Sequence, residues 1–107
     1  MNLQPNIAYI NELSGGDKNF ESRILGILKM EFPVEKQEYI TNLAESNFIL
    51  AAENVHKLKH KINILGLNEA YVFAVDYENE LRNQDVGRQD QFLTILNVMQ
   101  EYLQNIA

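Results

Sequence analysis

Residues 48–66 read "FILAAENVHKLKHKINILG". Ala51, Val55, Leu58, Ile62 and Leu65 recur at steps of 4, 3, 4 and 3, the spacing of a single buried face on an α-helix. Gly66 follows directly and suits the C′ position, where a left-handed residue ends a helix at no side-chain cost. A helix from about Phe48 to Leu65 follows from this stretch alone. Apart from Ala52 and Ile64, the residues between the stripe positions are charged or polar, so the helix has one inner and one outer face.

The same period extends in both directions, and no alternating strand pattern of useful length occurs. Towards the N-terminus, "SGGD" at 14–17 separates a short helix, Asn6–Leu13, from a long one. Ile7, Ile10 and Leu13 fall on one side of the short helix. Asp17 is a candidate N-cap, because its carboxylate can accept from unpaired backbone N–H groups. The long helix is expected over Asp17–Glu45, kinked at Pro33. Phe20, Ile24, Ile27 and Leu28 carry its apolar pattern, and Val34, Ile40, Leu43 and Ala44 continue it after a phase shift. "ESN" at 45–47 is a turn. Towards the C-terminus, a helix at about Asn68–Asn83 buries Ala70, Ala74, Tyr77 and Leu81. After the loop "NQDVG" at 83–87, a last helix at about Arg88–Ile106 presents Phe92, Ile95, Leu96, Met99, Leu103 and Ile106. The expected fold is all-α: an antiparallel four-helix bundle with a short additional N-terminal helix across one end.

Bulk composition narrows the function. The 107 residues are expected to form a single domain, residues 1–107. Apolar residues make up 46%, too many for a disordered chain. Nine basic against fifteen acidic side chains leave a formal charge of −6, a poor match to nucleic acid. There is no cysteine, so disulfides and thiolate metal sites are absent, and a cytoplasmic location is compatible. No signal peptide is visible in the first fifteen residues. No apolar run approaches the ~20 residues of a membrane span. The Met1 start and compact length fit a free-standing protein.

Within the opening stretch, "VHKLKHK" at 55–61 is a basic cluster on an acidic chain. At 100° per residue, His56 lies about 140° from the centre of the core stripe, and His60 lies almost opposite it. Both rings are expected in solvent. Lys59 falls about 60° from His56 and one turn along, with its stem on the bundle and its ammonium free. Three readings fit. The first is a solvated helix face without a role. The second is a metal site shared by histidines at i and i+4. Against it, Lys57 and Lys59 repel a cation, no Glu stands between the histidines, and a third ligand would have to come from another helix. The third is nucleophilic phosphoryl transfer. An exposed neutral imidazole can accept a phosphoryl group and release it, with Lys59 offsetting the charge on its oxygens. That chemistry needs no nucleotide loop, base or metal in this chain if a partner supplies them.

The stretch "HKLKHKINILG" at 56–66, with His56, Leu58, Lys59 and Gly66 in register, resembles the motif of the histidine-containing phosphotransfer (HPt) domain family. "ELSGGDKNFESRIL" at 12–25 and "YENEL" at 77–81 extend the resemblance over nearly the whole chain. It implies a phosphorelay intermediate in two-component signal transduction, a phosphocarrier and not an enzyme. His56 would carry a phosphoryl group between receiver-domain aspartates, or from a kinase to a receiver. By the same resemblance Lys59 steadies the phosphoryl group, and Glu78 and Arg82 on the fourth helix are candidates to orient the ring. Lys57, Lys61 and His60 are binding candidates, because the lysines would help steer the carboxylate-lined pocket of a receiver. No cofactor or metal is expected in this chain, and a divalent ion is expected in the receiver. The implied partners are response-regulator receivers and a sensor histidine kinase, hybrid or not, met by a monomer. His60 departs from the family, which usually has glycine there, and positions 61 and 62, often small in the family, are Lys and Ile. The alternative is a degenerate HPt-like adaptor that binds receivers without being phosphorylated.

Overall fold

The computed structural model describes residues 1–106. Five helices account for most of them: α1 (Ala8–Ser14), α2 (Lys18–Ala44), α3 (Phe48–Ile64), α4 (Asn68–Arg82) and α5 (Gln89–Asn105), with no strand among the described residues. No helix is long and apolar enough to cross a membrane.

Local chemistry explains the boundaries. Asp17 caps α2, its carboxylate accepting from the backbone N–H groups of Asn19 and Phe20 at 3.0 and 3.2 Å. The last helical turn of α3 closes in a Schellman motif: Leu67 N–H donates to Ile62 C=O, Gly66 N–H donates to Asn63 C=O, and Gly66 sits at φ +77°. A Cβ on Gly66 would stand 2.5 Å from Asn6 Nδ2, so both conformation and space call for glycine. Asn6 N–H also donates to Leu65 C=O at 2.8 Å, tying the N-terminal segment to the end of α3. α2 and α4 end in the same motif with Ser46 (φ 61°) and Gln84 (φ 63°) in the left-handed position, which sequence reading does not flag because neither is glycine.

α3 lies against both α2 and α4, α2 also meets α5, and α1 rests on α2. The α3 stripe is buried as its spacing predicts: Ala51, Val55, Leu58, Ile62 and Leu65 are wholly inaccessible. The expected inner residues of α4 and α5 are buried too, except Ile106, which is half-buried beyond the end of α5. Tyr39, Tyr77 and Phe92 join α2, α4 and α5, with ring centroids 5.0–6.3 Å apart. The hydroxyls of Tyr39 and Tyr77 satisfy each other at 2.5 Å inside the core, and burial raises both phenol pKa values. Asn42 donates to the buried Asn54 at 2.7 Å, a polar tie between α2 and α3.

Two expectations change. Leu13 is exposed, because α1 begins at Ala8 and turns Ile10 alone fully inward. More consequentially, α2 buries Leu25, Leu28, Phe32 and Tyr39, whereas Phe20, Ile27 and Val34 stand in solvent. α2 carries apolar residues around much of its circumference. Of the expected pattern Leu28 is buried and Ile24 and Leu43 pack against the core, and packing against α3 and α5 selects a face at steps of 3, 4 and 7 from Leu25. The helix runs through Pro33 unbroken, at the cost of the hydrogen bond that residue 33 would give the Lys29 carbonyl.

Candidate functional site

The inner stripe of α3 holds that helix in place, and what it holds outward is His56. Its side chain is 53% exposed. Facing it from α4 is Glu78, one of few buried charged residues, with its side chain 10% exposed. Tyr77 and Leu81, both inside the core, clamp the α4 turn that carries it.

Glu78 organises the site. Its Oε1 accepts from the Lys59 ammonium at 2.9 Å, and its Oε2 accepts from Arg82 Nη2 at 3.2 Å. His56 Nδ1 lies 3.3 Å from each oxygen. Burial by itself raises a carboxyl pKa. Here the hydrogen bonds from Lys59 and Arg82, the Lys59 charge and the bond to His56 outweigh burial, so Glu78 is held below its ordinary 4.5. An ionised carboxylate only accepts. In the neutral ring Nδ1 therefore carries the proton, and the lone pair is at Nε2, which has no hydrogen-bond partner among the described residues.

Glu78 thus links the site to stability. A carboxyl with a lowered folded pKa stabilises the fold fully above its unfolded value, and the contribution is lost as pH falls through the folded value. Urea midpoints of the wild type should decline from about pH 5 downwards. A Glu78→Gln variant should start lower at pH 7 and decline less steeply. Parallel curves for the two proteins would remove Glu78 as the linked group.

The other candidates divide. Lys59 is next to His56 as expected, but its ammonium is not free: it is engaged by Glu78, and only 13% of its side chain is exposed. Lys57 is exposed beside the ring and lines a shallow groove with Glu53, His56, Glu78 and Arg82. Lys61 leaves the cluster. It turns towards α2 and pairs with Glu35 at 2.9 Å and Glu31 at 3.1 Å. Burial lowers its pKa, the bonds to Glu35 and Glu31 raise it, and the net direction is up. It ties α3 to α2 and adds nothing to the charge around His56. The local patch is Lys57, Lys59 and Arg82 against Glu53 and Glu78, one positive charge in surplus. Sequence reading missed Glu53. It is one turn before His56 on the same helix, a signal that was available.

His60 stands edge-on to His56, with ring centroids 5.1 Å apart and planes at 89°. It fills the space one turn beyond His56 and limits how the His56 ring can turn. Among the described residues no three histidine, aspartate or glutamate side chains gather as a metal-binding group. Comparison of the chain with protein-family models, with curated proteins and with solved structures returns no match.

Proposed function

We propose that the protein is a histidine phosphotransfer carrier of the HPt kind, in which α2–α5 act as an antiparallel four-helix bundle with α1 as the additional N-terminal helix. The observation that carries this reading is the pairing of an exposed imidazole, His56, with a buried ionised carboxylate on its Nδ1. The ring is thereby oriented with its nucleophilic Nε2 outward, on a rigid helix and open to a partner's active site.

In the proposed step, the Nε2 lone pair attacks the phosphorus of an aspartyl phosphate on a receiver. The Nε2–P bond forms, the acyl P–O bond breaks, and the receiver's aspartate leaves as a carboxylate. The ring becomes cationic while Nδ1 keeps its proton, so its bond to Glu78 strengthens as charge develops. Return of the phosphoryl group to another receiver reverses these changes. Glu78 is a positioning residue, Lys59 and Arg82 hold Glu78, and Lys59, one turn beyond His56, is the proposed cation for the phosphoryl oxygens. The divalent ion and carboxylates of the reaction belong to the receiver, so this chain is a carrier and not an enzyme. Receivers and a sensor histidine kinase, in the cytoplasm, are its proposed partners.

A second reading has one observation in its favour. The His60 ring crowds the acceptor, which fits an adaptor that binds receivers without taking the phosphoryl group. Incubation with a phosphorylated receiver separates the two. Carrier function gives an acid-labile, base-stable phosphoprotein, adaptor function gives a complex without label, and the absence of both label and complex ends the HPt reading.

A further inference from the structure

The face of α2 turned away from the core carries an apolar row that nothing in the chain covers. Phe20, Ile27, Met30 and Val34 are 42, 50, 69 and 57% exposed. With Arg23, Gln37 and Thr41 they follow one another along α2 at alternating steps of 3 and 4, the spacing of a helix-to-helix seam whose centre is apolar and whose ends are polar. Gly26 lies beside this row. Glycine inside a helix is unfavourable relative to alanine, and a Cβ at this position would meet nothing within 4 Å. The packing of the chain itself therefore gives no reason for glycine there, while a second helix crossing at this point would.

We infer that α2 pairs with α2 of a second copy of the same chain, antiparallel, about a two-fold axis near Met30. Charge selects both partner and direction. Arg23 and Glu38, both exposed, make no ion pair or side-chain hydrogen bond among the described residues. In an antiparallel pair, Arg23 of one copy falls opposite the Val34–Glu38 turn of the other, twice by symmetry. A parallel pair would set Arg23 beside Arg23 and Glu38 beside Glu38, which repel. The Ile27, Met30 and Val34 side chains of the two copies then cover each other, and the gap above Gly26 admits a side chain from the opposite helix. The monomer implied by the family resemblance gives way in this inference to a pair. His56, on α3 facing α4, stays accessible in the pair, so the pairing does not depend on the phosphotransfer reading.

A single seam of this length is at the small end of specific interfaces, so assembly is expected at about 10–100 μM. Sedimentation equilibrium across that range should show the mass rising from the 12.4 kDa chain towards twice that value. Met30→Glu should raise the dissociation constant at least ~10-fold, with the helical circular dichroism unchanged because the side chain is already in solvent. Arg23→Glu and Glu38→Arg should each weaken the dimer roughly 3–10-fold, and the double variant Arg23→Glu/Glu38→Arg should restore it. A wild type that stays monomeric through that range overturns the inference. So does a dimer indifferent to Met30→Glu, or a double variant no tighter than the single ones, which would point to a different surface or orientation.

Discussion

His56→Gln is expected to reduce phosphoryl labelling by a phosphorylated receiver to background, while His60→Gln stays labelled. The contrast rests on geometry. Glutamine keeps an amide that can donate to Glu78, so the α3–α4 contact has a substitute, but it offers no nucleophilic nitrogen. Stability should therefore change by no more than about 0.5 kcal/mol, as for most surface substitutions, and loss of label cannot be blamed on unfolding. His60 makes no hydrogen bond or ion pair to a carboxylate among the described residues that could set its tautomer; its ring neighbour is His56. Labelling that survives in His56→Gln and disappears in His60→Gln would move the acceptor to residue 60. Labelling unchanged in both would remove the site altogether. The measurement is the acid-labile, base-stable phosphate retained after a fixed incubation.

The second large effect concerns the side chain that fixes the site from below. Leu58 is wholly buried between Lys57 and Lys59 in sequence, on the opposite side of α3 from His60. Leu58→Ala removes buried methyl groups and leaves a cavity, a change that costs about 2–5 kcal/mol. For a chain of this size that corresponds to roughly 10–25 °C in melting temperature. Leu58→Met, close in volume, should cost less than about 1.5 kcal/mol. Thermal melts of the three proteins test this. An alanine variant within a degree or two of the wild type would mean that α3 does not depend on its stripe. Such a result would undercut the rigid platform on which the His56 geometry is built.

Much of this was legible in the residues themselves. The five helices, their limits to within one or two positions, the Asp17 cap and the Gly66 stop are short-range matters. Each is settled by a few neighbouring side chains and by backbone groups within one turn. The stripe on α3 was unambiguous because charged and polar residues fill most of the rest of its middle turns, from Glu53 to Lys61, and the exposure of His56 followed from the angle alone. The α2 stripe was legible only in part: Leu28 is buried and Ile24 and Leu43 pack on the core as expected, whereas Phe20, Ile27 and Val34 face solvent. With apolar residues on two faces, the choice depends on which face α3 and α5 approach, and residues far along the chain determine that.

Charge pairing has the same character. Lys57, Lys59 and Lys61 are alike in sequence, yet the fold sends one into solvent, one to Glu78 and one to Glu31 and Glu35. A lysine stem reaches several ångströms in any direction, so its partner is whichever carboxylate the tertiary packing brings within range. The sequence alone determined that an imidazole would stand outside on α3, because helical period is a local property. Only the tertiary structure decided that a buried carboxylate on α4 would hold its Nδ1, because that contact exists only once two helices, separated by a turn, pack face to face.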